Sequence, residues 1–134
     1  MEGDATLVVR EITEAWNRRD IEEILALTDP RVEYVNPPNA MEPGTRRGHE
    51  AMRDVTAKQW EALADARQEI ERLHDRGDIV LVEMLLTRGM PDSEATVETR
   101  SLLSYSVGNG KVTRLEIVGT GPEFSEALKR VGLA

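Results

Sequence analysis

The feature that most constrains the fold is a run of three strand-like segments in the second half of the chain. Residues 79–88, 95–107 and 111–118 are rich in β-branched and apolar residues, and short turns separate them. The G-N-G sequence at 108–110 is a strong hairpin signal. Strands joined by such short turns pair with each other, so this region predicts an antiparallel meander.

The first half is predicted to be mainly helical. Apolar side chains recur at helical spacing in residues 5–19, 20–28 and 49–63, and a strand at 31–36 precedes the third helix. Helices followed by hairpin-linked strands are typical of the α+β class with a mostly antiparallel sheet. The length of 134 residues suits a single domain, 1–134.

Two further segments complete the prediction. A closing helix is predicted at 122–131, after the turn G-T-G-P. Residues 64–75 are ambiguous, because their composition favours a helix whereas the turn at 75–78 favours a strand paired with 79–88.

Composition excludes several function classes. The formal net charge of −8 argues against nucleic acid and against an anionic membrane surface, since both require clustered Lys and Arg. The absence of cysteine excludes disulfides and thiolate chemistry and agrees with a reducing, cytoplasmic location. The acidic N-terminus does not look like a secretory signal, and no apolar run approaches the roughly 20 residues of a membrane span.

The sequence V-E-Y-V-N-P-P-N-A-M-E-P at 32–43 ends a strand on a polar amide and then rigidifies the backbone with prolines. Rigid irregular backbone at a strand end often positions functional groups. Asn36 is therefore either a ligand contact or the residue that holds the turn, because Asn before Pro often stabilises turns.

Four short stretches resemble the nuclear transport factor 2-like superfamily, in its SnoaL-like, ketosteroid isomerase-like and limonene epoxide hydrolase-like branches. They are W-N-R-R-D at 16–20, V-E-Y-V-N-P-P at 32–38, R-R-G-H-E-A-M at 46–52 and G-N-G-K-V-T-R-L at 108–115. The resemblance implies a cone, formed by a curved sheet that three N-terminal helices wrap, with a C-terminal helix. It also implies a small-molecule pocket inside the cone, and it favours a strand at 66–74.

The catalytic positions of both enzyme branches are not matched. The isomerase base corresponds to Asn36, and the two oxyanion donors correspond to Ile12 and Leu102. Amide and alkyl side chains cannot exchange protons near neutral pH, so strict isomerase chemistry is not expected. The positions that correspond to the hydrolase arginine and acids are likewise apolar: Met84, Leu86 and Ile117.

Strand alternation extends the resemblance to a predicted pocket wall, because residues two apart share a face. The predicted polar wall residues are Tyr34, Asn36, Glu98, Arg100 and Ser104. The other predicted pocket residues are Trp16, Trp60, Met84, Leu86, Arg88, Leu102, Leu115 and Ile117, with core packing as the alternative for the two tryptophans.

Glu98 and Arg100 are the candidate catalytic pair. They lie two apart on one predicted strand face, with Arg88 expected diagonally nearby. A buried carboxylate beside guanidinium groups can act as acid–base machinery, and the alternative is a structural ion pair. His49 and His74 lack a spaced acidic partner, and no nucleotide-binding pattern occurs, so neither a metal nor a cofactor is predicted.

The opposite sheet face is predicted to be apolar as well, with Ile79, Leu81, Leu85, Val97, Leu103 and Tyr105 on it. An apolar face needs a cover, which predicts a homodimer through the sheet. Three functions stay open. The chain is a cofactor-independent isomerase, cyclase or hydrolase acting on a hydrophobic or polar-headed metabolite, a non-catalytic ligand-binding or accessory protein, or a protein-interaction module.

Overall fold

The structure, a computed structural model, describes residues 3–40, 42–90 and 92–134; Met41, in the proline-rich segment, lies outside these ranges. The first half contains α1 (Asp4–Asn17), α2 (Ile21–Ala26), β1 (Thr28–Asn36), β2 (Gly44–Arg47) and α3 (His49–Ala62). The second half contains β3 (Arg67–Arg76), β4 (Ile79–Gly89), β5 (Thr96–Gly108), β6 (Lys111–Thr120), a 3₁₀ turn (Gly121–Glu123) and α4 (Phe124–Arg130).

The six strands of the described residues form one sheet in the order β2-β1-β6-β5-β4-β3. All neighbours pair antiparallel except β1 and β6, which are parallel. This confirms the predicted α+β class with a mostly antiparallel sheet. The ambiguous segment is a strand, because pairing of β3 with β4 along nearly its whole length outweighs the helix propensity of its residues.

Bulges curl the sheet around the helices. The β3–β4 ladder shifts register between Ile70 and Arg72, and the β5–β6 ladder shifts at two further points. An extra residue on one strand bends that strand and increases its local twist. The curled sheet and the three N-terminal helices enclose the main core, which includes Val9, Ile12, Val32, Val80 and Val112.

The W-N-R-R-D sequence joins α1 to α2 and ties both to the sheet. Asn17 exchanges two hydrogen bonds with the backbone of Gln68, at 2.9 and 2.8 Å. Arg19 adopts a positive φ of 61° and donates to the carbonyls of Leu63, Ala64 and Ala66. Asp20 caps α2 by accepting from the backbone N–H of Glu23. This motif is therefore structural.

The strand β2 was not predicted from sequence. It is four residues long, mostly exposed, and pairs antiparallel with the end of β1. A short edge strand that is mostly exposed does not alternate between apolar and polar residues, so its sequence carries no strand signal.

The outer face of the sheet, which points away from the helical core, is less apolar than predicted. Val97, Leu103 and Tyr105 point inward, opposite to the prediction. Of the apolar residues that remain on this face, Leu81 and Leu102 are buried beneath α4 in a small second cluster, Leu85 is also buried, and Ile79 is exposed. The cover that a homodimer was predicted to supply is thus partly provided by the chain's own C-terminal helix. None of the helices in the described ranges has the length and apolar character needed to cross a bilayer.

Gly119→Ala tests the close approach of α4 to the sheet. An added Cβ would stand 2.7 Å from the Ala127 Cβ and 2.9 Å from the Glu123 carbonyl oxygen, closer than real contacts allow. We expect a loss of about 1–3 kcal/mol in the free energy of unfolding, measured by urea denaturation.

Gly108→Ala is the matched control, because it is another strand glycine whose Cβ would meet only the Thr113 Cγ2, at 3.5 Å. Its effect should stay within about 0.5 kcal/mol. Equal losses for the two variants would contradict the described packing of α4.

Candidate functional site

A cavity of about 720 Å³ lies between the helices and the concave side of the sheet. Small-molecule sites typically have volumes of about 300–1,000 Å³ and mostly apolar walls with a few polar groups. The wall includes Ile12, Trp16, Ile24, Tyr34, Asn36, Met52, Thr56, Gln59, Gln68, Met84, Leu86, Thr99, Ser101, Leu103, Tyr105, Leu115 and Ile117. Pro37, Asn39, Ala40 and residues 120–123 lie around its mouth.

The predicted facing of β5 is wrong by one residue. Ser101 pairs with Met84, and Thr99 pairs with Leu86. Directly opposed residues of an antiparallel pair point to the same side of the sheet, so Thr99 and Ser101 share the wall with β4. A one-residue slip transfers every side chain of a strand to the other face.

The candidate catalytic pair therefore lies on the outer face. Glu98 and Arg100 are both exposed. The Arg100 Nε and a terminal nitrogen donate to the two carboxylate oxygens of Glu71, at 2.9 and 3.2 Å. Leu102 is fully buried beneath α4, and Ser104 lies opposite Leu81. None of these four predicted wall residues reaches the cavity.

Seven other predicted pocket residues do stand on the cavity wall: Trp16, Tyr34, Asn36, Met84, Leu86, Leu115 and Ile117. Trp60 packs beside Trp16 instead, with ring centroids 6.2 Å apart. Its buried indole N–H has no hydrogen-bond partner in the described part of the chain. Arg88 is exposed and lies opposite Val97, beyond the wall.

The structure adds polar wall residues that the sequence analysis did not select. Thr56 and Gln59 lie on the inward face of α3, and Gln68 lies on β3 opposite Leu86. Polar side chains on the apolar face of a helix were the available signal for the α3 residues. Tyr105 was missed because of the error in the facing of β5.

A chain of hydrogen bonds crosses the wall from α1 through α3 to β1. The indole N–H of Trp16 donates to Gln59 Oε1 at 3.2 Å, and Gln59 Nε2 donates to the Tyr34 hydroxyl oxygen at 2.9 Å. Trp16 and Tyr34 are both buried. The chain fixes the Tyr34 ring and its hydroxyl at the closed end of the cavity.

Several other polar groups of the wall have no intramolecular partner. Within residues 3–40, 42–90 and 92–134, no hydrogen bond engages the hydroxyls of Thr56 and Tyr105 or the carboxamide of Gln68. Buried polar groups normally find partners in the protein, in water or in a ligand. These groups are therefore available to a molecule inside the cavity.

Asn36 both holds the turn and lines the cavity. Its Nδ2 donates to the Glu42 carbonyl at 3.0 Å across the proline-rich segment. Its carboxamide oxygen has no partner among the residues that the structure describes. Both alternatives considered for Asn36 thus describe part of its geometry.

The wall is electrically neutral at its closed end. Its described ionisable residues are Tyr34, Tyr105 and, at the exposed mouth, Glu123. Burial raises the pKa of Tyr34 to about 12, although the hydrogen bond from Gln59 opposes the shift. Burial, with the proximity of Tyr34, raises the pKa of Tyr105 as well. Neither hydroxyl can act as a general base near neutral pH.

The described residues do not assemble a metal site. No group of three or more His, Cys, Asp or Glu side chains in these ranges is placed to hold an ion. His49 instead contacts the Thr28 carbonyl at 2.7 Å, and His74 pairs with Glu83 on the outer face, also at 2.7 Å.

Absorbance titration of tyrosine tests the burial of the two wall hydroxyls, because Tyr34 and Tyr105 are the only tyrosines of the chain. Below pH 10 both states keep their tyrosine protons, so these groups add no pH dependence to stability. Between pH 10 and about 12 the folded state retains the Tyr34 proton while the unfolded state releases it. We therefore expect stability to fall as pH rises through this window.

Tyrosinate absorbance should accordingly appear together with the loss of secondary structure, measured by circular dichroism in the same samples. A tyrosinate signal with a midpoint near the ordinary tyrosine pKa of 10.0, in a chain that stays folded, would contradict the described burial of Tyr34.

Comparison with known proteins identifies the fold family. Among solved structures, TerC co-crystallised with polyporic acid has a TM-score of 0.76 at 24% identity, covering 95% of this chain and 99% of that chain. A loop truncation variant of IdmH has a TM-score of 0.78 at 20% identity, with coverages of 96% and 99%. A putative SnoaL-like polyketide cyclase from Jannaschia sp. CCS1 has 0.72 at 16%, with coverages of 87% and 85%.

At these identities the structural likeness establishes the fold alone. No curated protein matches the sequence. A family model described as the SnoaL-like domain matches residues 9–115, which is well over half of the chain. The fold is shared with a solved NTF2-like protein, in agreement with the resemblance found in the sequence. The chain therefore belongs to the SnoaL-like domain family.

Proposed function

We propose that this chain binds a hydrophobic small molecule with a few polar groups inside its cavity. The observation that carries the proposal is the combination of volume and wall: about 720 Å³ of space beside uncommitted neutral hydrogen-bonding groups. An apolar body would fill the space between Ile12, Met84 and Ile117 and be removed from water. The free hydroxyls and amides would select among molecules of similar shape.

The cavity has a closed end and an open end, which defines the direction in which a ligand would enter. Along β5, Tyr105 and Leu103 are 4% and 5% exposed, whereas Ser101 and Thr99 are half-buried. Asn36 and residues 120–123 stand near the open end. A ligand would enter past these mouth residues and place its leading end beside Tyr34 and Tyr105.

A second candidate function is catalysis without a cofactor. The wall has no described carboxylate or imidazole at its closed end, so proton abstraction of the isomerase kind lacks a base. Holding a flexible substrate in one conformation and polarising a carbonyl remain available to neutral donors. The likeness to a putative SnoaL-like polyketide cyclase favours a cyclisation, and the likeness to TerC co-crystallised with polyporic acid favours an organic small molecule as ligand.

The homodimer remains part of the proposal, with a smaller surface than predicted. Ile79 is 43% exposed on the outer face, next to the apolar cluster that α4 covers. Sedimentation velocity of the purified chain should show a dimer that Ile79→Asp dissociates. A wild-type monomer would remove the homodimer from the account and leave the cavity proposal intact.

A pair of matched variants on β5 tests the binding proposal. Ser101→Phe places a ring in the cavity, whereas Glu98→Phe places the same ring on the outer face of the same strand, opposite Thr87 and away from Ile79. Nile red serves as a neutral hydrophobic probe whose fluorescence reports entry into an apolar site. We expect Ser101→Phe to weaken Nile red binding at least about tenfold, equivalent to ~1.4 kcal/mol.

Glu98→Phe should bind Nile red as the wild type does. Circular dichroism of both variants verifies that the fold is retained. Equal binding by the two variants, or no binding by the wild type, would contradict the proposed function.

A further inference from the structure

The hydrogen-bond chain across the cavity wall has a fixed direction. An indole N–H can only donate, so the oxygen of the Gln59 carboxamide must face Trp16. The Gln59 nitrogen then faces Tyr34 and donates to its hydroxyl oxygen. The Tyr34 oxygen is thereby used as an acceptor. Its own O–H has no partner among residues 3–40, 42–90 and 92–134 and is left for the cavity.

The Trp16 end of this hydrogen-bond chain is held rigidly by Arg19. The Arg19 guanidinium carbon lies 4.7 Å from the centre of the Trp16 ring and 5.8 Å from that of Trp60. The Arg19 side chain also donates to the carbonyls of Trp16, Leu63, Ala64 and Ala66. An indole packed in this way keeps its N–H aimed at Gln59.

We propose that Gln59 is a positioning residue that fixes Tyr34 as a hydrogen-bond donor, so that the closed end of the cavity selects ligands with an acceptor oxygen. The ligand class is a ketone or a quinone rather than a molecule that leads with an O–H or N–H donor, and an unpaired anion is disfavoured because no cation lines the described wall. This inference rests on the proposed function, because it assigns the chemistry of the ligand's leading end.

Two further observations agree with this assignment. Tyr34 has a raised pKa, of about 12, so it keeps its proton at every physiological pH. Successive hydrogen bonds of one direction polarise each other, which makes the terminal O–H a stronger donor than an isolated phenol. Tyr105 lies on the same face, across Leu115 from Tyr34, and its O–H can donate to the same acceptor oxygen of a ligand.

The test compares two rigid probes of the same shape, fluorenone and fluorene, which differ only in a carbonyl in place of a methylene. The quantity measured is the ratio of their affinities in each variant, from fluorescence or calorimetric titration. We expect Tyr34→Phe to lower the fluorenone preference roughly three- to tenfold, the effect of one hydrogen bond, with fluorene affinity unchanged. Gln59→Leu should lower the same ratio in the same direction, although Tyr34 itself is intact.

The infrared stretching frequency of the bound fluorenone carbonyl separates donation from packing. A hydrogen-bond donor lowers this frequency, so it should be lower in the wild type than in Tyr34→Phe, with Gln59→Leu between them. Trp16→Phe keeps a ring beside Arg19 but frees the Gln59 carboxamide to rotate, so it too should reduce the preference for fluorenone.

The failures of the inference and of the proposed function are distinguishable. If the wild type binds both probes and none of the variants changes their ratio, the inference is overturned and the binding proposal stands. If Gln59→Leu weakens both probes equally, Gln59 only supports the wall, and the inference is again overturned. If the wild type binds neither probe and Nile red also fails to bind, the proposed function itself is wrong.

Discussion

The register of β5 against β4 is the constraint on which the rest of the site depends. The two strands pair without interruption from Ile79 with Ser106 to Gly89 with Thr96. This ladder places Thr99, Ser101, Leu103 and Tyr105 in the cavity and the intervening side chains outside. A shift of one residue would put Glu98 and Arg100 inside and convert a neutral pocket into a charged one.

The sequence indicates the order of elements well because hairpin turns and helical periodicity are local signals. Residues 64–75 stayed ambiguous between helix and strand from their own pattern, and the family resemblance favoured the strand. Met52, Thr56 and Gln59 could be placed on one face of α3. The facing of β5 could not be inferred, because adjacent Leu102 and Leu103 are both buried, one beneath α4 and one in the main core. Around these two leucines β5 is covered on both sides, so this part of the strand has no polar face from which to assign direction. The charged and exposed Glu98 and Arg100 were the available signal for the outer face.

The site also shows how a cavity can be specific without ionised groups. Its selectivity would come from the direction of its hydrogen bonds. The Trp16 indole can only donate and so orients the Gln59 amide, which in turn orients the Tyr34 hydroxyl. Trp16, Gln59 and Tyr34 come from different elements, α1, α3 and β1. The hydrogen-bond chain therefore forms only when helices and sheet pack together. The sequence could place Gln59 on the apolar face of α3, but no local pattern links it to Trp16 and Tyr34, so its role in this hydrogen-bond chain could not be predicted.

The same geometry limits the chemistry that the chain can perform. Burial of Tyr34 and Tyr105 favours their neutral forms, so the closed end can donate hydrogen bonds but cannot accept a proton from a substrate. Binding and orientation of a hydrophobic molecule are therefore the functions that the wall supports best, with carbonyl polarisation as its available contribution to catalysis.

The most direct test of the proposed ligand position is a crystal structure of the protein grown with fluorenone. The account predicts one molecule of fluorenone inside the cone, with its carbonyl oxygen within hydrogen-bond distance of the Tyr34 hydroxyl and its rings against Ile117 and Met84. Fluorenone bound on the outer face, or bound in the cavity with its carbonyl turned away from Tyr34 and Tyr105, would contradict it.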